Sequence, residues 1–134
     1  MLQIREIDHV VLRSRQVVPM LAFYREVLGC VLERSQPELG LWQLRAGASL
    51  VDLVAVDSPM GRAGGAAPGP EGHNLDHLCF RLVAFDAVAL GAHLRHHGVA
   101  PGEVVQRFGA DGEGPSMYLQ DPDGNGIELK GGMS

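Results

Sequence analysis

The chain has little sulfur chemistry. Two cysteines, Cys30 and Cys79, in 134 residues exclude a disulfide framework and a thiolate zinc knuckle. A reducing cytoplasm is the expected setting. Aromatic residues make up only 5%, which disfavours a ligand-sequestering cleft with apolar and aromatic walls. Positive charge is also short: Lys and Arg total 11 against 16 Asp and Glu, for a net charge of −5. Without a basic footprint for phosphate backbones, nucleic acid is not an expected partner. No run approaches the ~18 apolar residues of a membrane span, so no membrane partner is expected. The N-terminal MLQIREIDH lacks a basic end followed by an apolar block, and no signal peptide is expected. There is no GxGxxG after a first strand, no P-loop, no HExxH and no GxSxG. Phosphate cradles, zincin chemistry and a nucleophile elbow lose their usual signatures.

What is present reads as one α+β domain over residues 1–134, built on an internal repeat. Residues 7–13, IDHVVLR, return as LDHLCFR at 75–81, with Asp8, His9 and Arg13 matched by Asp76, His77 and Arg81. The neighbours repeat too. Val17, Met20, Leu21, Tyr24 and Leu28 form a one-faced helical stripe ending at Gly29. Phe85, Val88, Ala89 and Ala92 show the corresponding spacing in a second helix, with Leu90 and Leu94 broadening its apolar side and Gly98 closing it. Strand-like pieces follow each helix, at 30–35, 41–45 and 49–56, then at 103–108, 116–120 and 126–130. Asp121-Pro122-Asp123-Gly124 suits a type I turn between the last two. The prediction is two βαβββ modules, 4–56 and 75–130, in a pseudo-two-fold arrangement, their mixed sheets forming a cup around a central cleft. The Gly/Pro-rich linker 57–74 shows no strand or helix periodicity. At that length it is either a loose connector or a flap over a pocket.

Alternate residues of a strand share a face. His9 and His77 therefore point away from the helix layer, because Val10, Leu12, Leu78 and Phe80 supply the helix-facing side. In LVDLV and GIELK, Asp52 and Glu128 each sit alone on the face opposite their apolar neighbours. An uncompensated carboxylate in a half-buried strand is expensive, so a cation or hydrogen bonds must answer it. If the modules pack as pseudo-symmetric sheets, His9, Asp52, His77 and Glu128 converge. Two imidazoles and two carboxylates suit one divalent ion, Zn, Ni, Co, Mn or Fe, with positions left open for substrate. The plainer reading of a strand histidine is a hydrogen-bonded core or surface residue. His93 and His97 stand at i, i+4 and are able to trap an ion, although the helix dipole explains cations there more simply. His73 is placed to close over the site from the linker, and Cys79 shares the face of His77. Arg13 and Arg81 are either anchors for an anionic substrate or solvated strand-end charges. Trp42 and Tyr118 are candidate pocket walls.

The sequence resembles the vicinal oxygen chelate superfamily of glyoxalase I, extradiol dioxygenases, fosfomycin-resistance enzymes and bleomycin-resistance proteins. IDHVVL, AFYREVLG, LDHLCF, HHGV and YLQDPDGNGIEL carry the resemblance, which runs from about Ile4 to Lys130. It implies paired βαβββ modules and metal ligands at His9, His77 and Glu128. Asp52 occupies the place of a fourth ligand that is usually glutamate. Val11 stands where fosfomycin-type enzymes have threonine, and the retained ligand set departs from the metal-free bleomycin binders. The leading expectation is a metal-dependent lyase or isomerase of glyoxalase type. It would act on a small substrate with vicinal oxygens through an enediolate, with Glu128 or Asp52 as general base. A non-haem Fe(II) dioxygenase using His9, His77 and Glu128 alone is the enzymatic alternative. A metal-free ligand- or antibiotic-sequestering protein is the non-enzymatic one. The resemblance also implies a homodimer.

Overall fold

In the computed structural model, which describes residues 1–132, the βαβββ order occurs twice. Contacts divide the chain into two compact units, Met1–Asn74 and a second that begins at Leu75. In the first unit, β1 (His9–Ser14) leads to α1 (Val17–Ala22), then to β2 (Val31–Gln36), β3 (Leu41–Ala46) and β4 (Ser49–Ala55). The sheet order is β1-β4-β3-β2, with β1 parallel to β4 and the other pairs antiparallel. The parallel pair is possible because the helix and two strands intervene and supply the long crossover. A short helix, α2 (Pro59–Arg62), follows β4.

Apolar alternation decides the faces. Leu12 of β1, Leu44 of β3 and Leu53 of β4 are fully buried, together with Met20 of α1 and Tyr24 just beyond it. Each such side chain contributes roughly 1.5–3 kcal/mol when removed from water. Val11, on the other side of β1, keeps 48% of its surface. The helix predicted over 17–28 departs from regular geometry after Ala22 and continues as a wider π-helical turn, Phe23–Val27. The physical reason lies in two adjacent rings. Phe23 and Tyr24 are both buried and meet edge to face, with centroids 5.4 Å apart at 77°. A regular helix turns neighbouring residues about 100° apart, and the wider turn aims both inward.

The linker is more ordered than its composition suggests. Ser58 caps α2, its Oγ accepting from the Gly61 N–H at 3.0 Å. Gly61 lies so close to β4 that a Cβ there would stand 1.9 Å from the Ala55 carbonyl oxygen. The Arg13 guanidinium donates to the carbonyls of Gly61, Gly65 and Ala66. Asn74 closes the segment, accepting from the Arg13 N–H at 3.2 Å and donating to its carbonyl at 2.9 Å. Arg13 is therefore a strap for the linker, neither a substrate anchor nor a solvated strand-end charge.

In the second unit, β5 (His77–Arg81) leads to α3 (Ala87–His96), β6 (Val104–Gly109), β7 (Gly112–Gln120) and β8 (Gly126–Lys130), with sheet order β5-β8-β7-β6. β5 and β8 run parallel, again with antiparallel neighbours. Ile127, Leu129, Met117 and Leu119 are its buried apolar strand residues. α3 differs from the predicted stripe. Val88 is 84% exposed and Ala89 and Ala92 are also exposed, whereas Gly91 and Leu94 are buried. The buried face is thus set by Leu94, a larger apolar group than the alanines of the other face. The predicted turn forms as a tight cap. The Gly124 N–H donates to the Asp121 carbonyl at 2.9 Å, and the Asp121 carboxylate accepts from the backbone of Asp123 and Asn125 and from the Asn125 amide.

Candidate metal centre

The first unit places His9 at the start of β1. Its Nδ1 lies 2.7 Å from Asp8 Oδ1. With the ring proton held on Nδ1 by that carboxylate, the lone pair sits on Nε2, the tautomer of a metal-ready histidine. The Asp8 hydrogen bond, and then the negative charge of Asp52, raise the His9 pKa above its ordinary value. Asp52 stands on the central strand β4, opposite Val11 of β1 on one side and Gln43 of β3 on the other. It is 5% exposed, and Gln43 Nε2 donates to its two oxygens at the long distances of 3.4 and 3.3 Å. Burial raises the Asp52 pKa above the usual aspartate value, and the amide of Gln43 and the charge of His9 only partly offset it.

The second unit repeats the device with tighter parts. His77 begins β5, and its Nδ1 lies 2.6 Å from Asp76 Oδ2. Glu128 of β8 stands opposite Cys79 of β5 and Tyr118 of β7. Its Oε1 is 3.2 Å from His77 Nε2, and its Oε2 accepts from Ser116 Oγ at 2.6 Å. Beside it, the Tyr118 ring meets His77 edge-on with centroids 5.3 Å apart. Burial pushes the Glu128 pKa up, but the Ser116 hydrogen bond first, and then the neighbouring Tyr118 and His77, outweigh it, so the net shift is downward. The Cys79 thiol is pushed up to about 11, by burial first and by the Glu128 charge next.

Asp52 and Glu128 thus hold equivalent register positions, each two residues along the parallel strand pair from its histidine. Within the units the structure brings Asp52 under the electrostatic influence of His9 and brings Glu128 into contact with His77. Among the described residues, no group of three or more His, Cys, Asp or Glu side chains is gathered to hold an ion. The donor set of each unit nevertheless fits a divalent metal. Each offers an imidazole whose second nitrogen is fixed by a carboxylate, and a buried carboxylate on the same face. Alternation assigns Trp42 to the other face. It pairs with Leu53, away from Asp52, so it is no wall of this site. Tyr118 shares the face of Glu128, its register partner, and packs edge-on against His77. Arg81 pairs with Asp111 at 2.9 Å instead of standing open, and His73 remains exposed in the linker.

Several participants were not singled out from the sequence. Asp8 and Asp76 were visible only as matched letters of the repeat, and the signal was their place directly before each histidine. Gln43 and Ser116 act from neighbouring strands, where only the pairing register reveals them. Lys130, 6% exposed, donates to the carbonyls of Arg107 and Gly114 and spends its charge on the sheet edge.

The Glyoxalase/Bleomycin resistance protein/Dioxygenase superfamily model matches residues 6–129. The glyoxalase domain-containing protein RDO1 of Mycosarcoma maydis is 31% identical over 130 residues, which span 96% of this chain and 69% of that one. Among solved structures, the mobile-metagenome protein VPC_CASS1 from V. Pseudocholerae is similar at 26% identity and a TM-score of 0.83, covering 100% of this chain and 99% of that one. The virulence protein STM3117 of Salmonella typhimurium is 27% identical with a TM-score of 0.82, covering 98% of this chain and 100% of that one.

Proposed function

Because the chain belongs to the Glyoxalase/Bleomycin resistance protein/Dioxygenase superfamily, we propose that it is a metal-dependent lyase or isomerase of glyoxalase type. The residues that would hold a divalent ion, Zn, Ni, Co, Mn or Fe, are His9, Asp52, His77 and Glu128. The repeated arrangement in which Asp8 and Asp76 fix Nδ1 of His9 and His77 supports this reading most. Such carboxylate–histidine pairs orient imidazoles toward metals and raise their donor strength.

Such an ion would supply Lewis-acid stabilisation of the negative charge that develops on the oxygens of a small substrate with vicinal oxygens. The chain supplies the proton chemistry. Glu128 accepts from Ser116 and lies 3.2 Å from His77 Nε2, so it serves as a fixed anion. Asp52 is held only by long bonds from Gln43. It is the freer and more basic carboxylate, and it removes a proton from one substrate carbon and returns it to the next. Tyr118 walls the pocket beside His77. The protein works as a homodimer in a reducing cytoplasm, a setting compatible with its free cysteines, Cys30 and Cys79. Among the described residues no helix is long and apolar enough to cross a membrane.

Elemental analysis of the wild type beside His9→Ala, His77→Ala, Glu128→Ala and Asp52→Ala tests the ligand set. Each substitution should lower occupancy sharply. Exchange of a substrate carbon proton with solvent under Ni, Zn or Mn, without oxygen, supports the lyase. Oxygen uptake with a catechol under Fe(II), unaffected by Asp52→Ala, would assign a dioxygenase with three ligands. An unchanged melting temperature on adding divalent ions would assign a metal-free binding protein.

A further inference from the structure

Three histidines lie together at the end of α3, apart from the residues assigned above. His93, His96 and His97 are all exposed. The His97 N–H donates to the His93 carbonyl at 3.3 Å and to that of Leu94 at 3.1 Å, so the last turn is closed through His97. Gly98, at φ +72°, then turns the chain away. The ring centroids of His93 and His97 are 4.7 Å apart, and those of His96 and His97 are 5.1 Å apart.

The first spacing is that of a chelate. An ion about 2.1 Å from a ring nitrogen stands about 3.2 Å from the ring centre. Two rings subtending about 90–110° at that ion have centres roughly 4.5–5.2 Å apart. Positions i and i+4 share a helix face, whereas consecutive residues do not. His93 and His97 therefore form the pair, with His96 at its flank. The nearest cation, Arg95, is turned elsewhere. Its guanidinium lies over Gly91, 3.2 Å from where a Cβ would stand there, and Arg95 is about 200° around the helix from His93. The ion also meets the negative end of the helix dipole, which favours a double positive charge.

The geometry points to a second metal site on this chain, in which His93 and His97 chelate one borderline transition ion and water completes its shell. A pair of imidazole donors selects Cu²⁺, then Ni²⁺ and Zn²⁺, and passes over Mg²⁺ and Ca²⁺. The site is independent of the ligand set proposed for catalysis, and the test separates the two.

Isothermal titration of the His9→Ala/His77→Ala protein with NiCl2 and with ZnCl2 at pH 8 reads this site alone. One equivalent should bind, and adding His93→Ala or His97→Ala should weaken it about a hundredfold, the gain that a second tethered donor gives. His96→Ala should leave it within about threefold, because it does not share the face. Unchanged binding after His93→Ala or His97→Ala overturns the site, as does an equal loss with His96→Ala. If the background variant does not fold, CuCl2 added to the wild type beyond the first equivalent provides a local reading by amide NMR. Signals of residues 91–98 should broaden and should persist in His97→Ala. Broadening that ignores that substitution also overturns the site.

Discussion

Glu128 Oε1 lies 3.2 Å from His77 Nε2, the nitrogen left outward by the bond between His77 Nδ1 and Asp76. Asp52, the register equivalent of Glu128, holds its place with only a glutamine amide at 3.3 Å or more. The two carboxylates therefore have opposite electrostatic standing in the metal-free protein.

Glu128 titrates below the ordinary glutamate value despite its burial, because hydrogen-bond donors and His77 favour the ionised form. Its contribution to stability is full above that ordinary value and is lost as pH falls through the lowered one. Asp52 titrates above the ordinary aspartate value, chiefly through burial. Its ionised form opposes folding above the raised value, and the opposition disappears as pH falls through it. In urea titrations at pH 7 with chelator present, Glu128→Gln should destabilise by about 2 kcal/mol. Asp52→Asn should be neutral or stabilising. Equal destabilisation by both would contradict this division.

Asp8 governs the protonation of His9. The raised pKa of His9 comes first from the Asp8 hydrogen bond and then from Asp52. Protonated His9 favours the fold below the ordinary histidine value, and that benefit is lost as pH rises through the raised one. Imidazole binds metal only when neutral, so metal loading should fall off as pH drops through the raised value. Asp8→Asn should move the His9 titration midpoint, followed by NMR, down toward the ordinary value. It should also weaken metal affinity by about tenfold in a competition assay, the low end of the usual loss when such a partner is removed.

Gly126 permits the close approach of β8 to β5. A Cβ there would stand 2.7 Å from the Asp76 carbonyl oxygen and 3.0 Å from His77 Cβ. Backbone and a neighbouring Cβ cannot yield as a flexible side chain does. Gly126→Ala should destabilise by roughly 1–3 kcal/mol and reduce metal occupancy, because the strand carrying His77 must shift. Thermal denaturation and elemental analysis check both parts. Gly132→Ala, with no atom within 4 Å of the added Cβ, is the control.

Arg13 straps the linker through the carbonyls of Gly61, Gly65 and Ala66. Arg13→Ala should make the segment 57–74 the first site of limited proteolysis while leaving the strands protected. Arg13→Lys should rescue little, because a single ammonium does not reproduce the planar fork that spans several carbonyls. Unchanged cleavage in Arg13→Ala would show that Asn74 and the Ser58 cap suffice.

The βαβββ element order of each unit, the placement of His9 and His77 on its first strand and the isolation of Asp52 and Glu128 among apolar neighbours were legible in the sequence. Two-residue periodicity and a repeated IDH/LDH motif encode them locally. The linker strap was not legible, because Arg13 meets carbonyls some fifty residues away. Nor was the wide turn after Ala22, which follows from the inward packing of two adjacent rings. The burial of Leu94 in place of the Val88 stripe likewise depended on packing, since both faces of α3 contain apolar side chains.

By itself, then, the sequence determined which residues share a strand face and which side chains have the chemistry of metal ligands, because alternation and residue type are local properties. Only the tertiary structure decided which neighbours surround them. Pairing register set Tyr118 and Cys79 beside Glu128, with Ser116 donating to it, but the apolar Val11 and the amide of Gln43 beside Asp52. Whether a carboxylate stays a firm anion or becomes a base depends on donors that arrive from other strands, and no local pattern records them.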